Sequence, residues 1–561
     1  MDTGSRVEAC GAGKAQGMSR SIVGAIFVIG ALLVPMAAGA QEQAPEDLVV
    51  EPSRQVTTDP NPVRLYVTPS IAVDPRAPST LAIAVADARS GGCGLVVSQD
   101  GGLSWQRTAQ TLLPENQSFC VQNNFGPVTG LAFGRDGTLY TAMSGSSLDT
   151  GHPRGPIDAL FARSTELGRT HETVTVAESA PYRYEPESGP AEEGFEQNRL
   201  VNMAVDPGNP EKVYMGWRQG IGGTTAPSGT LPLLSMVAVS DDGGRSWSEP
   251  FSLMDAFGEE VAGSDTPMLV VGPGGTAYAF TKERPRPPEE GQPRPPSRLF
   301  MATLANGGES WTTTVISEGA PFIDNPGVAI DPNNGNLYLT YASRGQEETD
   351  PSQAYVMIST DKGETWSAPV NIGDPDAGAS YDKYFPGASV APNGRVDIAW
   401  FDFRNDPFFT PGGVGPMGTL EALRYWDVYY ASSADGGQTW SRNVRVTDRS
   451  VDGDVGVTFN NQDIRGPIGV ASTNDMTYFA WADSRAGGPD FDAEDTYFTR
   501  VRHAFGEPVT SAPAPGPSRI LWSLVGAGVA LALGGVVLVA GTRMARRGAP
   551  AAERATVRAP E

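Results

Sequence analysis

Short apolar runs closed by Gly, Pro, Asp or Asn turns recur along the chain. One unit opens with proline and a brief apolar strand: Pro69-Ser70-Ile71-Ala72-Val73, Pro127-Val128, Pro267-Met268-Leu269-Val270, Pro326-Gly327-Val328-Ala329-Ile330, Pro386-Gly387 and Pro467-Ile468. Another, Val201 to Val205, lacks the proline. Each is followed by a turn such as Asp74-Pro75, Asp206-Pro207 or Asp331-Pro332-Asn333-Asn334-Gly335, then by a second apolar strand such as Leu81 to Ala86, Val213 to Trp217 or Val396 to Trp400. Apolar runs joined by such turns read as hairpins. Successive openings lie about 58 to 81 residues apart, which suits four-stranded blades, so the pattern predicts an all-β propeller. Seven openings favour seven blades, with a six-bladed ring plus an extra hairpin as the alternative. The last unit, Pro467 to Arg500, offers three strands, and Leu48-Val49-Val50 or Arg64-Leu65-Tyr66 is expected to supply its fourth. Such pairing closes a ring and removes an exposed edge.

The third segment of the units carries Ser-x-Asp-x-Gly-x-x-Trp. It stands at Ser98-Asp100-Gly102-Trp105, Ser240-Asp242-Gly244-Trp247, Ser359-Asp361-Gly363-Trp366 and Ser433-Asp435-Gly437-Trp440. Two degenerate copies keep the frame, Ser164-Glu166-Gly168-His171 and Leu304-Asn306-Gly308-Trp311. The carboxylate is suited to accept backbone N–H bonds in a tight turn, glycine supplies positive φ, and tryptophan packs back onto the blade. The motif therefore reads as scaffold.

On these residues the chain resembles the Asp-box, or bacterial neuraminidase repeat, family of the sialidase superfamily over residues 47–505. Unit one adds Tyr66-Val67-Thr68-Pro69-Ser70 and Asp87-Ala88-Arg89, similar to the aromatic-Arg-Ile-Pro opening and acid-x-Arg element of sialidases. Val67 stands where that opening has arginine, and residues 90–94, Ser-Gly-Gly-Cys-Gly, lack the catalytic aspartate the family places there. The resemblance thus implies the fold more strongly than the activity.

The two ends of the chain set the expected compartment. From Met18, the expected true start, a short basic stretch leads into an apolar run closing with Ala38-Gly39-Ala40; residues 1–40 read as a secretory signal peptide. Residues 41–506 then form the propeller, 507–519 a proline-rich linker and 520–542 one transmembrane helix, whose uncharged core 520–540 is long enough to span. Arg543, Arg546 and Arg547 follow, holding residues 543–561 in the cytoplasm and the propeller outside. A formal net charge of −24 argues against nucleic acid as partner. Cys93 and Cys120, the cysteines left after the leader, are expected to be disulfide-bonded in an oxidising compartment. His152, His171 and His503 are too scattered for a zinc site, so no metal site is assigned. Turns such as Asp452-Gly453-Asp454 are of the kind that hold Ca²⁺, without EF-hand spacing.

Strand alternation puts the Asp-box loops on one face and the ends of the second strands on the other. That second face gathers Asp87-Ala88-Arg89, Lys282 to Arg284 around Glu283, Asp402-Phe403-Arg404 and Asp483-Ser484-Arg485, with Arg218 and Arg344 in equivalent places. One reading is an ion pair repeated in each blade. The other is a set of guanidinium groups, Arg89, Arg218, Arg404 and Arg485, for the carboxylate or sulfate of an acidic sugar, with Arg404 and Arg485 best placed. Tyr381, Tyr384, Phe385, Phe408, Phe409 and Trp426 supply rings on this face, Trp426 as a ligand contact. The chain is thus expected to be an extracellular, membrane-tethered propeller that binds a carbohydrate or other cell-surface ligand, without a cofactor. One alternative is an exo-α-sialidase or related glycoside hydrolase, with Tyr384 as nucleophile and Asp382 or Asp402 as acid/base. The other is a structural or protein-docking domain.

Overall fold

The computed structural model describes residues 41–42 and 48–503, apart from 62–63, 88–89, 121–128, 148–154, 186–188, 223–232, 255–262, 285–295, 306–309, 321–325, 345–349, 375–380, 410–423, 454, 456–467 and 488–492. The expected leader, linker, membrane helix and tail lie outside these residues. Among the described residues no helix is long and apolar enough to cross a membrane.

Seven antiparallel units follow one another along the chain. Unit one runs through Arg64–Val73, Leu81–Asp87, Gly92–Ser98 and Gln106–Ala109. Unit two uses Thr129–Phe133, Leu139–Ser146, Asp158–Ser164 and Glu172–Ala177, and unit three Glu192–Val205, Val213–Gly222, Leu234–Ser240 and Phe251–Ser252. Unit four has Met268–Val271, Ala277–Lys282, Ser297–Leu304 and Thr312–Ala320; unit five has Gly327–Ile330, Leu337–Ser343, Gln353–Ser359 and Val370–Asn371. Lys383–Val390, Val396–Asp402, Tyr425–Ser433 and Val444–Arg445 make unit six. Unit seven supplies Gly469–Ser472, Met476–Asp483 and Ala493–Arg502. Its fourth position is filled from the N-terminal side, where Val49–Val50 and Arg54–Gln55 both pair antiparallel to Ala493–Arg502. Arg64 and Leu65 also join this strand, in parallel with Ala493 and Glu494. Both N-terminal segments therefore close the last unit.

The first strands of the units touch in cyclic order, one to two and onward to seven, and seven touches one again. Glycine permits this approach. A Cβ on Gly387 would press on the backbone oxygen of Ile468, and one on Gly469 would lie 3.0 Å from that of Pro69. The second strands Leu81–Asp87, Leu337–Ser343 and Val396–Asp402 are buried throughout. Burial on both faces is why they read as continuous apolar runs rather than alternating ones.

The Asp-box turns join neighbouring units. Ser98 Oγ accepts the Gly102 N–H at 2.8 Å and donates to Asp100 Oδ1 at 2.7 Å, while Asp100 accepts the backbone N–H of Ser104 at 2.9 Å and its hydroxyl at 2.5 Å. Asp242, Asp361 and Asp435 repeat these bonds with Ser246, Thr365 and Thr439. The box glycines, at φ +85° to +91°, leave no room for a Cβ. Gly102 abuts Phe498, Gly168 Leu95, Gly244 Phe161, Gly363 Met301 and Gly437 Ile358, in each case a third-strand side chain of the preceding unit. Trp105 and Trp247 meet Phe498 and Phe161 edge-on at 5.0 and 4.9 Å, and Trp366 meets Phe280 at 5.9 Å. Trp440 is buried with Tyr338 and Ile358.

Cys93, on the third strand of unit one, is disulfide-bonded to Cys120, with Cα atoms 5.3 Å apart. Phe119–Cys120 pairs with Gly145 and Ser146 of unit two, so the bond ties the two units together.

Candidate functional site on the face of the second-strand ends

Gly101 N donates to Ser79 O and Gly243 N to Glu211 O, which puts the Asp-box loops beside the turns between first and second strands. The ends of the second strands and the starts of the first strands lie at the other side. There, three first strands carry the same one-residue bulge, between Val67 and Ser70, Arg199 and Asn202, and Tyr384 and Gly387. Within it Thr68, Leu200 and Phe385 take φ values of +45°, +56° and +50°. Left-handed backbone at non-glycine residues costs about 1–2 kcal/mol and is concentrated at functional sites. Bulges re-aim side chains, and the residues just before these three are Val67, Arg199 and Tyr384.

In units six and seven the acid-x-Arg element is one repeated cassette. Trp400 Nε1 donates to Asp402 Oδ2 at 2.9 Å, and Arg404 donates to the same carboxylate through Nε at 3.0 Å and Nη2 at 2.8 Å. Trp481, Asp483 and Arg485 do likewise at 2.9, 2.9 and 2.7 Å. Each guanidinium stacks on a tyrosine, Arg404 over Tyr429 at 4.1 Å and Arg485 over Tyr497 at 4.4 Å. Burial pulls both arginine pKa values down, and the bonded aspartates more than offset it. These two arginines, expected to be the best placed for a ligand, are instead paired with their own carboxylates, Arg404 across both oxygens of Asp402 and Arg485 through two nitrogens on Asp483 Oδ2. Asp402 accordingly has no oxygen positioned as an acid/base. Arg89 lies outside the described residues; Asp87 accepts from the hydroxyl of Ser90 at 2.6 Å.

Trp426 is a correction. Its ring is 0% exposed, edge-on to Phe401 at 5.0 Å in the core of units six and seven, because it sits in the third strand rather than in the loop before it. Tyr384 is 3% exposed, packs edge-on against Phe403 and accepts a hydrogen bond from Arg344 Nη2 at 3.2 Å. Asp382 is buried, accepts the Ser352 N–H at 2.6 Å, and has its carboxyl pushed up by burial. Lys383 between them is also buried, donates to Gln353 at 2.9 Å, and is pushed down to about 8 by burial. What reaches solvent in unit six is Phe408, 61% exposed, stacked on Tyr425 at 6.1 Å with Arg424 over both rings at 5.7 and 5.0 Å.

Units three and four assemble a different group. Asp265, two residues before Pro267, is fully buried and receives Arg218 Nη1 at 3.1 Å, Arg284 Nη2 at 2.8 Å and Lys282 Nζ at 3.8 Å. Burial pushes its carboxyl up, but the three cations outweigh burial and hold it well below the usual carboxylate range. Sequence reasoning singled out Arg218 and missed Asp265 and Arg199. The available signal was an acid standing just ahead of a unit opening.

Among the described residues no three His, Cys, Asp or Glu side chains are grouped to hold a metal ion. The Asp452 carboxylate, considered for Ca²⁺, is held by Arg424 at 3.1 Å.

The sheet order and boxed turns define a sialidase-like β-propeller. No protein-family model matches the chain, and no curated protein matches it. Among solved structures it is similar to the Hadza microbial sialidase Hz136, at 14% identity over 75% of each chain with a TM-score of 0.41. It is similar also to the phage phi92 endosialidase, at 12% identity over 83% of this chain and 71% of that one, TM-score 0.42. Trypanosoma rangeli sialidase in complex with sialic acid gives 12% identity and a TM-score of 0.39, over 68% of this chain and 54% of that one. At that distance no residue takes a role from them, and the fold is read from this chain's own strands.

Proposed function

We propose that the chain is a secreted, seven-bladed, sialidase-like propeller, tethered to the membrane by its C-terminal segment, that binds an acidic glycan on the face of the second-strand ends. The closed cycle of seven first strands supports the blade count. One observation carries the glycan reading: the solvent-facing pair Phe408 and Tyr425 with the Arg424 guanidinium over both rings. An exposed aromatic face stacks on the apolar side of a sugar ring, and the Arg424 guanidinium, paired with Asp452 but with its side chain 39% exposed, stays accessible to an acidic substituent from its solvent side. The test is a glycan array probed with the full-length protein. Binding to acidic glycans is expected, and Phe408→Ala is expected to lower affinity by about tenfold, the loss of one stacking contact. Binding unchanged in that variant, or a protein partner captured with no glycan bound, would favour a docking domain.

The contact between Arg344 and Tyr384, beside the buried carboxyl of Asp382, favours a second reading as a glycoside hydrolase with a tyrosine nucleophile. Turnover of a neuraminic-acid reporter, lost in Tyr384→Phe, would support it.

A further inference from the structure

We infer that Asp406 is the positioning residue of the Phe408–Tyr425 platform: its buried carboxylate holds together the two chain segments that carry the rings, so that the pair stands preformed for a sugar. The inference deepens the glycan reading above and rests on it for the ligand.

Phe408 and Tyr425 lie 17 residues apart in sequence, and bringing the ends of such a segment together costs chain entropy. One side chain offsets that cost. Asp406 Oδ1 accepts the Phe408 N–H at 2.9 Å, while Oδ2 accepts the Arg424 N–H at 2.9 Å and the Tyr425 N–H at 3.2 Å. The residue is 5% exposed, and a buried carboxylate is tolerated when bonds of this kind replace its water. Its backbone is fixed as well. The Asp406 N–H donates to Phe403 O at 3.0 Å, and its carbonyl accepts the Phe409 N–H at 3.3 Å. Phe409 packs against Tyr381, with ring centroids 5.0 Å apart, whereas Phe408 faces solvent.

The second end is anchored independently. Tyr425 pairs with Asp452, Gly453 N donates to Arg424 O at 2.8 Å, and Ser484 of unit seven donates to Asp452 O at 2.6 Å. Asp406 joins the first end to this anchored one. A ring pair ordered before the ligand arrives spares binding the loss of freedom that ordering it would require. Both carboxylate oxygens are needed for this. Asparagine offers one acceptor oxygen and an NH2 group, itself a donor, which would face a backbone N–H. Arg424 and Tyr425 give two bonds and Phe408 gives one, so Asp406→Asn is expected to keep the second end and release the first.

The experiment compares Asp406→Asn and Asp406→Ala in the full-length protein in detergent, by amide hydrogen exchange and by calorimetric titration with 3′-sialyllactose. Exchange is expected to quicken at Phe408 in Asp406→Asn, and at Arg424 and Tyr425 as well in Asp406→Ala, with the second strand of unit six unchanged. Affinity is expected to fall about fivefold in Asp406→Asn, the loss of one hydrogen-bonded end. In a Phe408→Ala background the same change is expected to weaken binding by about twofold or less, because the ring it positions is gone. A residue that acts on stability alone would lower the melting temperature and show no such coupling. Unchanged exchange at Phe408 in folded Asp406→Asn overturns the inference. So does affinity untouched by Asp406→Asn where Phe408→Ala weakens it, or the full fivefold loss repeated in the Phe408→Ala background. A parent protein that binds no glycan overturns the glycan reading instead, and exchange at Phe408 then decides by itself whether Asp406 holds the ring pair.

Discussion

A single aspartate in each Asp box does the work of a staple. Asp435 accepts the Thr439 N–H at 2.9 Å, the Thr439 hydroxyl at 2.6 Å and the Ser433 hydroxyl at 2.8 Å. Asp435→Ala removes these contacts and that from the Gln438 N–H at 3.0 Å, and is expected to lower stability by about 1–3 kcal/mol, read as a fall in melting temperature with the affinity of the folded protein for glycan unchanged. The same bonds make the boxes sensitive to acid. The hydroxyls of Ser104 and Ser246, with backbone N–H groups, hold the Asp100 and Asp242 carboxyls well below their ordinary value. A carboxyl lowered in the folded state contributes stability that is present above its unfolded pKa, near 4, and is lost as pH falls toward the folded value. Melting temperature is therefore expected to drop as pH is lowered from about 4 to 2, and to drop less steeply in Asp100→Asn. The hydroxyl donors also explain why Ser or Thr precedes the tryptophan in all four complete copies.

At the scale of the strand, the ring depends on a short segment far from its partner in sequence. Val49–Val50 and Arg54–Gln55 cover the outer edge of Ala493–Arg502, and Thr57 and Arg64 bond Asp495 at 2.9 Å and 2.8 Å. Deleting residues 41–57 would expose that edge and take the buried Val56 out of the core around Tyr66 and Phe498, with an expected loss on the order of 3 kcal/mol or more and association through the freed strand. Calorimetry and light scattering measure both; a monomer with unchanged melting temperature would mean the segment is ornamental. The need for such a strand was legible because unit seven had three, and the boxed turns were legible because each of their residues has one physical reason to be there. Contacts between distant segments were not. Asp265, Arg218 and Arg284 come from three different strands or loops, and nothing in local pattern links residues so far apart. Trp426 was misplaced for a related reason: an aromatic at the edge of a long polar stretch looks like a loop residue until its pairing with Val451 and its ring contact with Phe401 put it in the core. Arg404 and Arg485 looked available because sequence shows the acid two residues earlier but not the side-chain geometry that lets the two close on each other.

For the whole molecule, the proposed glycan face is expected to hold a sugar without turning it over efficiently. Three features oppose efficient hydrolysis of sialosides. The opening that resembles the sialidase motif has Val67, buried, where a guanidinium is expected; one bidentate contact to a carboxylate contributes about 2–3 kcal/mol. The Asp402 carboxylate is bonded to Trp400 and Arg404, so an acid/base worth about 10²-fold or more in rate has no free oxygen to act with. The Tyr384 phenol is held by Arg344 at 3% exposure, which leaves a substrate no direct approach without movement of the bulged strand. Sialidase activity of the full-length protein on α2,3- and α2,6-linked sialosides is accordingly expected to be weak or absent, even where the same glycans bind. A turnover number near one per second, well within the ordinary range of enzymes, would show that the strand does move, and would make Arg344 and Tyr384 the first residues to replace.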